Sequence, residues 1–224
     1  MECKNCGAGL TSPRGVTLTI CPFCKFDNAT KPTTATTVGD IITFSGYNWR
    51  VLDIQNNQAL LLSELILEDR KYNESQTAPI TWEKCTLRHY LNNDFYNKLS
   101  GKDRIARKTI YNNNNPWFGA SGGNNTTDYI FLLSIEEMVQ YFGDSWQLKN
   151  KNPDPIEDWR IDDQFNQNRI AKDTLGAIWW WLRSPGGKVN LAAYVERNGK
   201  ICVFGNSRGV SASGGVRPAL WLNL

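Results

Sequence analysis

Histidine is almost absent from this 224-residue sequence, which holds only His89. The Walker A, GxGxxG and HExxH patterns are missing as well, and with them the usual signposts of nucleotide enzymes and zinc proteases. No apolar run approaches the roughly 20 residues that cross a bilayer. The opening MECKNCGAGLTSPRG lacks the basic-then-apolar layout of a secretory signal, so the chain is expected in the cytoplasm with no membrane partner. An excess of charge of one sign is also lacking. The 25 basic and 22 acidic side chains are dispersed and leave only +3, which makes nucleic acid an unlikely general partner. With 41% hydrophobic and 21% charged residues, disorder is not the default.

Cysteine, by contrast, is present in a telling arrangement. Four of the six cysteines form two CxxC pairs, Cys3 with Cys6 and Cys21 with Cys24, separated by 14 residues. Each knuckle turns two thiolates toward one ion, and two knuckles complete a tetrahedral site with no open position. Structural zinc is the expectation, rather than disulfides or redox chemistry. The intervening GLTSPRGVTLTI supplies a turn and a short strand, too little to fold by burial alone. We therefore expect a zinc ribbon over 1–30, a Thr/Ala/Pro linker over 31–38 and a main domain over 39–224. Lys4, Arg14, Lys25 and Lys31 make the ribbon mildly basic, but dispersed cations are also what a solvated surface carries.

In the main domain, DIITFSGYNWRVLDIQNNQALLLSELIL reads as three short strands turned at Ser45-Gly46 and Asn56-Asn57. From Thr81 the period lengthens. Trp82, Cys85, Leu87, Tyr90, Leu91, Phe95 and Leu99 recur as a helix would bury them, with a break expected near Asn92-Asn93. Ser100 with Asp103 and Ser134 with Glu137 fit two further helix starts. Between these lies YNNNNPWFGASGGNNTTDY, a long loop that is ordered if Trp117 and Phe118 anchor it. From Ala177 the chain returns to strands, with a hairpin signal at Asn198-Gly199. The β-rich ends are not interleaved with crossover helices, so the fold class is α+β with short antiparallel strands and a few helices.

Chemistry is sparse. Cys85 and His89 are four residues apart and would share a helical face, which allows a thiol dyad; a core cysteine beside a half-buried histidine is the plainer reading. Asp162-Asp163 and Glu136-Glu137 are adjacent carboxylates in polar segments. The stretch NPDPIEDWRIDDQ offers oxygen ligands for calcium without the positional code of an EF-hand.

The segments WWWLRSPG, AAYVERNGK and GGVRPALWLNL, with the opening GDIITFSGYNWRVLDI, resemble bacterial and phage domains with a C-type-lectin-like fold of the formylglycine-generating-enzyme type. That group includes the variable proteins of diversity-generating retroelements and often carries an N-terminal zinc ribbon. The resemblance covers residues 39–224. It implies a non-enzymatic display protein whose specificity lies between Pro185 and Gly215. The Glu-Pro-Asn and Trp-Asn-Asp segments of calcium-dependent sugar binders are missing, and only Cys202 stands where the copper oxygenase relatives have two cysteines.

In GKICVFGN, alternation sends Ile201 and Val203 to the core and Lys200, Cys202 and Phe204 outward. The expected ligand-binding residues are Lys188, Asn190, Glu196, Asn198, Lys200, Cys202, Phe204, Asn206 and Arg208. A protein or peptide ligand suits a broad surface of strands and turns. Among the three tryptophans, Trp179 and Trp181 are expected in the core, with Trp180 on the other layer or flooring the binding face, and Arg183 and Arg217 as buried supports. The alternatives are a Cys85–His89 thiol enzyme, an oxygenase relative, or a nucleic-acid adaptor acting through the ribbon.

Overall fold

The computed structural model describes residues 2–3, 7–9, 20–21, 23–24, 35–75, 79–150, 159–205 and 209–224. The chain divides into two compact units, Met1–Thr36 and Thr37–Leu224. The larger is α+β and mostly antiparallel, with few helices. No helix among the described residues is long and apolar enough to cross a membrane.

The opening meander forms as the turn residues dictate. Strands Ile41–Phe44, Tyr47–Gln55 and Gln58–Ser63 pair antiparallel in sequence order. Ser45 and Asn56-Asn57 have φ of 52°, 50° and 60°, the left-handed backbone of tight hairpin turns. The chain's last strand, Ala219–Asn223, joins this sheet beside Gln58–Ser63, with Ile105–Ala106 and Ile130–Phe131 paired to it as well.

The second sheet is built around Trp180–Pro185, which is buried along its whole length. It pairs antiparallel with Ala192–Val195 and parallel with Ser213–Val216. Ile201–Cys202, Arg160–Ile161 and Glu68–Lys71 complete that sheet. The closing segment GVRPALWLNL therefore changes sheets at Arg217-Pro218, where proline interrupts the ladder.

Ser134 and Glu137 form a reciprocal capping box on helix Ile135–Phe142, as their spacing predicts. The residues after Ser100 are different. Only a single turn of 3-10 helix, Lys102–Arg104, follows, and RIARKTI then becomes strands Ile105–Ala106 and Lys108–Ile110. Pairing of Ile105 and Ala106 with Leu222 and Trp221 outweighs the local capping signal. The helix after Thr86 continues through Asn92-Asn93 as a π-helical turn over Leu91–Phe95. Asn92 accounts for its course there, accepting from the Tyr129 and Ile130 backbones at 2.8 and 3.2 Å and donating to the Ile130 carbonyl at 2.8 Å.

The Asn-rich loop is anchored. Asn115 is buried, and its amide donates to the carbonyls of Pro185 and Val203, both at 2.8 Å. Its oxygen accepts from the backbones of Trp117 and Phe118, both at 3.0 Å. Asn115→Ala removes all four bonds, two of them to the carbonyls of Pro185 and Val203. We expect a loss of about 3 kcal/mol or more in a urea unfolding series; a loss under about 1 kcal/mol would mean the loop is held by other contacts.

Candidate functional site

The three tryptophans divide between two layers because successive strand residues face opposite ways. Trp180 is fully buried, and its indole N–H donates to the Arg169 carbonyl at 3.3 Å. Trp181, also fully buried, donates to the Arg70 carbonyl at 3.0 Å. Trp179 is only half-buried, which corrects its expected place in the core. It shares a side with Trp181, edge-on at 4.8 Å between ring centroids, and meets Tyr194 at 5.4 Å. A Cβ at Gly214 would stand 2.2 Å from the Trp179 ring, so this close approach requires glycine.

Trp179 and Tyr194 thereby line a groove of about 660 Å³, with Ile178 on the apolar side and Glu196, Arg197, Asn198 and Ser213 on the polar side. Glu196 is held by Arg160 at 2.6 Å, and Lys200 by Asp162 at 2.5 Å. The Asn198 side chain accepts from the Lys200 backbone at 3.2 Å within the Asn198-Gly199 turn. Burial, with Cys202 nearby, pushes the Tyr194 phenol well up, so it is neutral and a hydrogen-bond donor at any ordinary pH.

The other expected ligand-binding residues lie elsewhere. Phe204 is half-buried, stacked on Trp159 at 4.0 Å and edge-on to Phe118 at 5.2 Å, with Lys188 5.8 Å above its ring. The Asn190 carbonyl accepts the Val210 N–H at 3.2 Å. Cys202 does not project outward. It is 4% exposed, and its thiol faces the Gly205 carbonyl at 3.6 Å. The strand Ile201–Cys202 lies between two others, Ala192–Val195 and Arg160–Ile161, so the Cys202 side chain has Tyr194 and Arg160 as its cross-strand neighbours. Asn206 and Arg208 lie outside the described residues. Tyr194 and Arg197 were not anticipated, although alternation places Tyr194 on the same face as Glu196 and would have found it.

A sequence family described as "Domain of unknown function (DUF6273)" matches residues 56–224. The chain belongs to the DUF6273 family. No curated protein and no solved structure matches it.

Within the DUF6273 domain, Cys85 and His89 do not form a dyad. Cys85 is fully buried; its thiol donates to the Trp82 carbonyl and accepts from the Arg88 backbone, both at 3.4 Å, as a helix cap, whereas His89 is exposed. Burial pushes the Cys85 thiol from its ordinary 9.0 up to about 12, so almost no thiolate exists at neutral pH. Of the acidic pairs, Asp162 bridges Lys200 and Asp163 bridges buried Arg169 at 3.0 Å, while Glu137 pairs with Arg183. Of the segment weighed for calcium, 152–158 lie outside the described residues.

Among the described residues, the one group placed to share a metal ion is Cys3, Cys21 and Cys24, whose sulfurs lie within 4.8 Å of one another. Cys6 lies outside the described residues. The Cys3 carbonyl accepts the Gly7 N–H at 2.9 Å, and Gly7 has φ of 72°, which forms the tight turn of a knuckle. The Cys3 and Cys24 sulfurs are 3.6 Å apart. That is too long for a disulfide at about 2.05 Å and close to the roughly 3.8 Å between thiolates that bind one tetrahedral ion at about 2.3 Å.

A thiol whose pKa rises on folding stabilises the fold below its unfolded value and loses that contribution as pH climbs toward the folded one. The part of stability owed to Cys85 is therefore complete below pH 9.0 and fades as pH approaches about 12. We expect Tm to fall between pH 9 and 11, and to fall less in Cys85→Ser, whose hydroxyl keeps the capping bonds without ionising. Identical slopes for the two proteins would refute the assignment.

Proposed function

We propose that the DUF6273 domain of this chain is a non-enzymatic binding module that takes a protein or peptide ligand through the Trp179–Tyr194 groove. The observation that carries the reading is the pair of half-buried rings on a fully buried strand scaffold, flanked by Glu196, Arg197, Asn198 and Ser213. An apolar floor with a few polar groups on one side is the composition of recognition sites. The groove accepts one bulky side chain while the surrounding turns contact the rest of a peptide. The inert state of Cys85 supports binding over thiol catalysis.

The resemblance to C-type-lectin-like variable proteins is part of this proposal, with specificity carried by residues between Pro185 and Gly215. The mostly antiparallel α+β architecture supports it at the level of fold class. In the smaller unit, Cys3, Cys21 and Cys24, joined by Cys6, hold one structural zinc ion. The sulfur spacing and the thiolate-only donor set favour zinc over harder cations.

For the groove, a random peptide library is panned against the full chain. Enriched peptides should bind Trp179→Ala and Arg197→Ala about tenfold or more weakly, with the circular dichroism spectrum retained. Peptides that bind both variants as tightly as the parent would place the site elsewhere, and a library without enrichment would remove the peptide reading. For the metal, elemental analysis should return one zinc per chain in the parent and almost none in Cys21→Ser.

A further inference from the structure

A second cavity of about 540 Å³ lies in the Thr37–Leu224 unit and shares no lining residue with the aromatic groove. Its wall includes Arg50, Glu64, Phe142, Asn168, Lys172 and Arg217. Arg217 is the unusual member. It is 3% exposed, its Nε donates to the Ser63 carbonyl at 2.9 Å, and its Nη1 is buried with no hydrogen-bond partner among the described residues. Trp180 and Phe142 lie 5.1 and 5.9 Å from its guanidinium carbon, so aromatic rings occupy its surroundings where a carboxylate would be expected.

A buried guanidinium carries five donors and a charge that loses its hydration, and both need compensation. Glu64 is the cavity's one lining carboxylate, and Arg50 already holds it through two bonds of 2.9 and 2.6 Å. The lining thus sets three cations, Arg50, Lys172 and Arg217, against one carboxylate. Burial lowers the Arg217 guanidinium to about 10, with Glu64 opposing that effect and Arg50 reinforcing it, so the group stays charged at neutral pH. Water can satisfy a donor but cannot neutralise the charge.

We propose that this cavity binds a small ligand through an oxyanion, a carboxylate or phosphate group seated on the part of the Arg217 side chain that lines it and attracted by the exposed Lys172. The guanidinium fork matches either group in geometry, so the chemistry of the anion is what the experiment separates.

The full chain is titrated with inorganic phosphate and, separately, with succinate, against sodium chloride of equal ionic strength, with Kd read by calorimetry and Tm by scanning. Phosphate or succinate should raise Tm by about 5 °C at about a hundred times its Kd. The anion that does so names the ligand class. Arg217→Met should weaken that binding at least tenfold, while its Tm without anion stays at or above the parent's, because an uncompensated buried charge has been removed. Lys172→Gln, a surface change, should weaken it about threefold. The proposal is overturned if neither anion stabilises beyond chloride, or if Arg217→Met binds as the parent does. Should Arg217→Met fail to fold, an unchanged Kd in Lys172→Gln overturns it in the same way.

Discussion

The strand Trp180–Pro185 has no solvent face, and much of the larger unit follows from that constraint. A strand buried on both sides must find partners inside the protein for the polar atoms it carries, although the Arg183 Nε has none among the described residues. Trp180 and Trp181 do so by sending their indole N–H groups to the carbonyls of Arg169 and Arg70. Arg183 reaches the Leu132 carbonyl at 2.8 Å and Glu137, the residue that also completes the cap of helix Ile135–Phe142. Ser184 accepts the Ile135 N–H at 2.9 Å. One strand thus positions the helix and supports the sheet that carries the groove, and the Pro185 carbonyl receives Asn115 from the long loop.

The groove sits where this buried strand begins to reach the surface. Trp179, one residue before it, keeps one side against Trp181 and leaves the other toward Tyr194 and the polar residues beyond. Rings packed on two or three sides lose little further freedom when a ligand arrives, which is why stiff aromatics serve recognition well. Arg217, just past the strand Ser213–Val216, shows the opposite condition. Trp180 and Phe142 lie near it, but its charge has no ion-pair partner among the described residues.

A good part of the fold was legible where the signal is local. The turns at Ser45-Gly46, Asn56-Asn57 and Asn198-Gly199, the capping box at Ser134 and the alternation through the tryptophans each follow from backbone preference or strand periodicity. The burial of Arg183 and Arg217 also follows from their place between apolar runs. RIARKTI misleads because the capping signal before it is local, whereas its pairing with Trp221 and Leu222 lies over a hundred residues away. At the candidate site, Glu196 and Asn198 were readable as turn-proximal polar residues, but Trp179 was not, since alternation tells which side a ring takes and not how much neighbouring chain covers it. Cys202 failed for the same reason, because its thiol turns to the Gly205 carbonyl beside its cross-strand neighbours Tyr194 and Arg160.

The sequence by itself determined the periods, the turns, the paired cysteine knuckles and membership of the DUF6273 family, because each depends on residues within a few positions of one another or on a pattern along the chain. Only the tertiary structure decided that the last strand returns to the first sheet, that Trp179 and Tyr194 meet across a groove, and that Arg217 is enclosed without a carboxylate. These are outcomes of long-range pairing and burial, in which the environment of a side chain is set by segments its own neighbours in sequence do not specify.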